Sequence, residues 1–304
     1  MEASLESQRS VRRGVQFGLA AYLIWGFFPA YFKAVAGVPP LEVLSHRIFW
    51  SALFLLLLAL GMGRSRDLRS AFRDRRVIAT LSSSTLLLSL NWLVFIFAVE
   101  SGRVLDSSLG YFMNPLVSVL LGWSFLGERL RRAQNVSLVL AVAGVAYLTL
   151  SYGRLPWVSL VLAVSFAIYG LLRKTARVDA LVGLTVETCL LAPFALGYLV
   201  FRGVTGEGHF LAGAPSHDVL LPLAGLVTAA PLLLFIGATR RLRLATIGFL
   251  QYITPSLHLL LAVWAYGEPF TRSHLVTFAC IWTALALYSL ESALDSGFLR
   301  LRRE

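Results

Sequence analysis

The chain has 304 residues, of which 57% are hydrophobic and 14% charged, with a mean hydropathy of +0.74. A soluble domain carries about 25% charge, so this composition cannot cover a water-facing surface; it excludes a soluble enzyme, a disordered chain and a disulfide-stapled secreted domain. The formal net charge of +11 comes from basic residues that punctuate apolar runs, the pattern of loops flanking membrane helices and not of a nucleic-acid surface.

A spanning helix needs about 20 mostly apolar residues. Ten runs of that kind follow along the chain, at 14–35, 41–62, 77–99, 104–126, 133–150, 156–175, 179–201, 219–239, 244–266 and 273–292. The first run follows Arg12 and Arg13 and ends near Ala34-Val35-Ala36, which resembles a signal-peptide cleavage site. It is long for a secretory apolar core and carries Lys33, so it is expected to stay as the first span. Two connections are longer than the rest, an arginine-rich loop at 63–76 and a Gly-, Pro- and His-containing loop at 202–218. Backbone groups in lipid must be satisfied within the segment, so the runs are expected to be helices; the alternating strands of about 10 residues that mark a membrane barrel are missing. Cys189 and Cys280 fall inside apolar runs without metal-ligand spacing and read as packing residues.

Orientation follows from Lys and Arg. With the N-terminus inside, 21 of the 27 basic residues fall on the inner side, in the clusters around Arg12, Arg69, Arg131, Arg173, Arg241 and Arg302. Lys33, Arg103, Arg154, Arg202 and Arg272 fall outside, and Arg47 lies within a span. This asymmetry predicts ten spans with both termini cytoplasmic.

Shifting the sequence by 140 overlays parts of it. Pro115 meets Pro255, Gly127-Glu128 meets Gly267-Glu268, and seven identities fall within the 33 positions 98–130. The shared Pro-x11-Gly-Glu spacing is the informative part. Five spans per half is an odd number, so the second half enters the membrane from the opposite side, and the repeats are inverted. The expected organisation is a tail at 1–13, five-helix repeats at 14–150 and 151–292, and a tail at 293–304. Such repeats are typical of secondary transporters, with a substrate site near the midplane. Pro115 and Pro255 are expected to kink helices beside a central pathway.

The chain is similar to the RarD family of EamA-type carriers, within the drug/metabolite transporter superfamily. The resemblance rests on AYLIWGFFPAYFK (21–33), LEVLSHRIFWS (41–51), NWLVFIFAVESG (91–102), LDSSLGYFMNPLVSVLLGWSFLGERLRR (105–132), SFAIYGLLRK (165–174), VETCLLAP (186–193), TRRLRLATIGFLQYITPSLHLLLAVWAYGEPF (239–270) and VTFACIWTALALYSLE (276–291). It covers nearly the whole chain. It implies a ten-helix inverted-repeat fold, a bacterial cytoplasmic-membrane location and a transporter role, and it supplies no ligand.

Polar groups at membrane depth are costly and mark functional sites. Glu42 and His46 are four apart on the second span and share a face. Arg47 either snorkels to the outer surface or faces a cavity and holds a carboxylate or phosphate bidentately. His46 is one proton-coupling candidate, since histidine titrates near neutrality. Glu187, the only acid deep within a span, is the other; it is expected to pair with Arg47 or His46, or to carry a transported proton. Asn91, Trp92, Tyr111, Asn114, Gln251, Tyr252 and Thr254, with Trp25 and Tyr169, are expected to line the cavity with flat faces and hydrogen-bond groups. Glu128 and Glu268 read as structural markers at helix ends, Asp106 as a helix-start acid, and His258 as a weaker cavity candidate.

No nucleophile elbow, phosphate loop or zinc-spaced set is present, so no enzyme activity, cofactor or metal is expected. The reading is a secondary carrier that exports a small metabolite, anionic or zwitterionic such as an amino acid, or an amphiphilic compound. A passive facilitator and a non-transporting membrane sensor are the alternatives. The expected partners are a small-molecule substrate and membrane lipid, no nucleic acid, and the chain as a monomer or homodimer.

Overall fold

The computed structural model describes residues 2–126, 132–175, 178–239, 241, 242, 247 and 250–295, and every regular element among them is helical. In chain order these are α1 (Glu2–Gly26), α2 (Phe28–Ala34), α3 (Pro40–Gly61), α4 (Ser65–Arg73), α5 (Arg75–Glu100), α6 (Val104–Leu126), α7 (Arg132–Tyr152), α8 (Trp157–Thr175), α9 (Ala180–Val204), α10 (Pro215–Thr239), α11 (Ile253–Leu260) and α12 (Arg272–Asp295). A π-helical turn, Leu261–Ala265, continues α11. Seven helices among the described residues are long and apolar enough to cross a membrane. Shorter apolar helices, Trp157–Arg173, Ile253–Ala265 and Arg272–Leu287, occupy the sixth, ninth and tenth expected runs.

Four differences from the sequence reading have physical causes. The first run is broken at Phe27, whose φ is −90° and ψ 4°. Pro29 follows in the first turn of α2, where its missing N–H costs nothing and its fixed φ restarts the helix. Upstream, the expected tail at 1–13 is helical from Glu2, because Glu, Ala, Leu, Gln and Arg are all good helix formers. The loop expected at 63–76 contains α4, which buries Leu68 and Ala71 and turns its arginines outward; a hydropathy window averages that periodicity away. In the ninth run a turn at Gln251 and Tyr252 follows the helical residues Ile247 and Leu250 and precedes the helix from Ile253, because Pro255 has no N–H for the Gln251 carbonyl. Glu128, the start of the ninth run at 244–246, and 296–304 of the C-terminal tail lie outside the described residues.

Carboxylates satisfy the orphan N–H groups at helix starts. Asp74 Oδ1 accepts from Arg76 N at 2.8 Å and Val77 N at 3.2 Å, starting α5. Asp179 accepts from Leu181 N at 3.0 Å, starting α9. Glu268 reaches across the bundle to α6, accepting from Val104 N and Leu105 N at 2.7 Å each. It acts as a structural helix-end acid, as read from the sequence. Burial raises this carboxyl above the usual carboxylate range, while the two N–H donors pull it the other way.

The outer faces stay apolar, as a lipid-facing surface requires: Leu86 is 67% exposed, Phe194 75% and Trp264 80%. The centre is formed by α3 and α9. Every residue from Glu42 to Ile48 and from Leu181 to Thr188 is buried. The two helices pack on each other, α3 also on α10, and α9 also on α5. Around them α1 packs on α10 and α11, α8 on α5 and α6, α6 on α11, and α7 on α12. Exchanging α1 with α8, α3 with α9, α5 with α10, α6 with α11 and α7 with α12 returns these pairs, whereas the packing of α3 on α5 and of α6 on α7 and α12 has no matching counterpart among the described residues. Small residues permit the close crossings. A Cβ on Gly110 would stand 2.7 Å from the Ser159 carbonyl oxygen, and one on Gly225 would stand 2.6 Å from the Trp50 carbonyl carbon.

Candidate functional site

Two polar centres stand on the central helix pair. The first is Arg47, the eighth residue of α3, about 10 Å from its start at about 1.5 Å per residue. Its position did not decide between snorkelling and facing inward; the rotation of α3 does. Arg47 is 4% exposed and points into the bundle. Its guanidinium carbon lies 4.0 Å from the Trp92 ring centroid, 5.3 Å from Phe28 and 5.5 Å from Phe32. Nε donates to Thr228 Oγ1 of α10 at 3.0 Å. Nη1 is buried without a hydrogen-bond partner. No carboxylate among the described residues pairs with it. A buried cation needs an opposite charge or a full set of acceptors. Here aromatic faces supply part of that stabilisation, and desolvated cation–π contacts contribute about 2 kcal/mol.

Polar groups extend from the cage along α5, α6 and α11. Asn91 donates to the Leu162 carbonyl and to Ser165 Oγ at 3.0 Å each, and its Oδ1 accepts from the Tyr111 hydroxyl at 3.5 Å. The Tyr111 ring lies 5.6 Å from the His258 ring, which stacks on Phe95 at 5.3 Å. His258 Nε2 is 3.2 Å from the Trp25 carbonyl, and its Nδ1 is buried and unpartnered. The weaker candidate of the sequence reading thus stands beside the stronger ones.

The other candidates make contacts within the bundle. Asn114 donates to the Ala163 carbonyl at 3.3 Å, and Thr254 to the Tyr22 carbonyl at 3.0 Å. Tyr252 stacks on Phe112 at 6.3 Å, and the Trp25 ring packs on Tyr22 and Phe235. Gln251 is half-buried in the turn before α11. Pro115 sits inside α6. Pro255 stands in the first turn of α11, directly after the turn at Gln251 and Tyr252, and its carbonyl accepts from Ser108 Oγ at 2.8 Å.

His46 is buried but turned to the loop side. Its Nδ1 accepts from Trp50 Nε1 at 3.3 Å, and its ring packs 5.2 Å from Phe210. Glu42, one turn earlier, is held by the loop after α9: it accepts from His209 N at 2.6 Å, and Arg202 Nη2 and His209 Nδ1 lie 3.4 and 3.0 Å from its Oε2. Shared helix spacing therefore did not make Glu42 and His46 partners.

The second centre is Glu187, and its expected pairing with Arg47 or His46 is corrected. Its Oε1 accepts from Ser84 Oγ at 2.5 Å and faces Arg173 Nε at 3.9 Å, and its Oε2 accepts from the Tyr169 hydroxyl at 3.3 Å. Of these, Tyr169 was expected near the site. Arg173 was read as an inner-loop charge, but its side chain is 14% exposed. The local reason is Gly183, one turn before Glu187: a Cβ there would overlap Arg173 Nη1 at 1.9 Å. Arg47 and Glu187 are 140 positions apart, and each is the eighth residue of its helix. The offset that aligns Pro115 with Pro255 was the signal that relates these two charges.

Among the described residues no three His, Cys, Asp or Glu side chains gather as a metal site. An unpaired, always-charged guanidinium within aromatic faces suits an anion with an apolar body.

Comparison with known proteins places this arrangement. The model of the EamA-like transporter family matches residues 12–150. Protein RarD of Salmonella typhi is 46% identical over 284 residues, covering 93% of this chain and 97% of that protein. The chain belongs to the RarD family of EamA-like transporters. An uncharacterized transporter of Vibrio cholerae is 44% identical over 284 residues, covering 93% of this chain and 94% of its own length. A solved crystal structure superposes with a TM-score of 0.59 over 92% of this chain and 98% of the other, at 20% identity, which shows a shared fold. Family and apolar helices together make this RarD-family chain a multi-pass membrane protein.

Proposed function

We propose that this RarD-family protein is a secondary carrier that exports a small anionic or zwitterionic metabolite, or an amphiphilic compound, by alternating access. In this reading it performs no catalysis, spans the bacterial inner membrane ten times as two inverted five-helix repeats, 14–150 and 151–292, and keeps both termini cytoplasmic. The main helix pairs, which exchange into one another, support the repeats, and the 21 inner basic residues support the orientation. Its partners are the solute and membrane lipid, and it acts as a monomer or homodimer.

The observation that carries the reading is the state of Arg47. A buried guanidinium with an unpartnered Nη1 and no carboxylate partner among the described residues is a poor structural element, because its desolvation is only partly offset. A substrate carboxylate would complete it. Trp92, Phe28 and Phe32 would cover the apolar body of the same molecule. Tyr111, Asn91 and His258 would border the path.

Flux from proteoliposomes tests this. The vesicles are loaded with a mixed pool of amino acids, small organic acids and chloramphenicol, and release is followed with and without an imposed pH gradient. Gradient-dependent release of a defined solute, lost in Arg47→Ala with membrane insertion intact, is the expected result. Wild-type release by Arg47→Ala would remove Arg47 from the mechanism. Release insensitive to the gradient would replace the carrier with a facilitator.

A further inference from the structure

The centre at Glu187 is built in a way that a static ion pair does not require. Arg173 Nε stands 3.9 Å from Glu187 Oε1, beyond hydrogen-bond reach. The carboxylate instead takes its hydrogen bonds from Ser84 Oγ at 2.5 Å and the Tyr169 hydroxyl at 3.3 Å. Arg173 Nη1 is buried without a partner. Its guanidinium occupies space that only a glycine at 183 leaves open. Two guanidinium groups among the described residues, Arg47 on α3 and Arg173 on α8 beside α9, thus each hold a buried, unpartnered Nη1. Among the described residues one has no carboxylate, and the other has a loosely held one.

We propose that Arg173 is a second anion station, opened when a proton taken up by Glu187 releases the guanidinium to bind an organic carboxylate. This deepens the Arg47 reading and rests on it. The exchange balances: the Glu187 carboxylate gains a proton from the aqueous phase, and the Arg173 guanidinium trades that carboxylate for the incoming one, so the net charge of the centre is unchanged. Ser84 and Tyr169 keep a protonated Glu187 in place, since a hydroxyl accepts as well as donates. The groups facing Glu187 are Arg173 and Tyr169 from α8 and Ser84 from α5. At the start of α9 stand Arg64, just before α4, and Asp67 of α4, an ion pair whose Arg64 Nη2 lies 3.7 Å from Asp179 Oδ1, eight positions before Glu187. The path follows: a carboxylate held at Arg47 on one side passes to Arg173 on the other, and each transfer is tied to a proton.

The test is proton uptake linked to anion binding. Purified full-length protein in detergent and weak buffer is titrated with sodium benzoate, a carboxylate with an apolar ring that suits the aromatic cage. Bound benzoate and bath pH are followed together. Wild type should take up protons as benzoate binds, turning the bath alkaline. Glu187→Gln should bind benzoate with no uptake, and Arg173→Gln should lose the uptake and the benzoate bound with it. Arg47→Gln should keep the uptake, since that station does not use Glu187. Ser84→Ala retains both charges and should shift the pH midpoint of uptake. Uptake by Glu187→Gln equal to wild type, uptake unaltered in Arg173→Gln, or no uptake by wild type would each overturn the proposal. Uptake without solute flux in proteoliposomes would reject the carrier reading and leave the station. Flux lost in Arg47→Ala but without linked uptake would keep the carrier reading and reject the station.

Discussion

Arg47 and Glu187 occupy the same step of two matched helices, eighth in α3 and eighth in α9, yet their surroundings are opposite. Arg47 is set among the rings of Trp92, Phe28 and Phe32, with one hydroxyl partner, Thr228. Glu187 is set among Ser84, Tyr169 and Arg173. The hydroxyl partner in each case comes from the exchanged helix: Thr228 from α10, Ser84 from α5. Helix register places each charge at the eighth residue of its helix. The flanking helices decide whether that charge is answered from within the protein or left for something else. An unanswered charge is a candidate binding site; an answered one is a candidate switch.

Substitutions at the two positions should therefore have opposite signatures. Removing Arg47 should abolish flux, the largest functional effect, and leave stability unchanged or raised, because a buried cation without a carboxylate is replaced by an apolar group. Flux and thermal unfolding of Arg47→Met measure both sides; a stability loss as large as that of Glu187→Ala would erase the contrast. Glu187→Ala strands Arg173 as an uncompensated charge and should cost about 3–5 kcal/mol, read as a lowered Tm in detergent.

Smaller changes sharpen the same contrast. Gly183→Ala places a methyl where Arg173 Nη1 lies; overpacking of this kind costs about 1–3 kcal/mol. In an Arg173→Ala background, where the clash is absent, the same substitution should cost little further stability. Trp92→Leu takes one ring from Arg47 and should weaken solute binding by the equivalent of about 1–2 kcal/mol, measured as a raised half-saturation concentration for flux. Glu268→Gln loosens the cap of α6 and should cost about 1 kcal/mol, with flux retained; loss of flux there would move the functional centre toward the start of α6.

Hydropathy and charge pattern go far in a protein of this kind. A backbone in lipid must form helices or a closed barrel, and a chain without a barrel's alternating strands leaves the helix, so apolar runs mark the elements, and charged residues within them mark candidate sites. Arg47 and Glu187 were legible for that reason. The inner cluster at Arg173 concealed a buried partner, because an arginine at a helix end has the same sequence signature whether it sets topology or turns inward. The pairing expected between Glu187 and Arg47 or His46 failed on helix rotation: α9 turns Glu187 to α5 and α8, while His46 meets Trp50 and Phe210. The short helix α4 was hidden because an amphipathic stretch with many arginines averages to a polar loop.

Composition by itself determined a membrane-embedded helical protein, because 14% charge cannot clothe a soluble surface. The offset of 140 residues, printed in the chain, already related Arg47 to Glu187. Only the tertiary structure decided which of the two charges has a partner. Pairing depends on the azimuth of each helix and on small residues such as Gly183, Gly110 and Gly225 that let neighbours approach, and neither is a property of one segment alone.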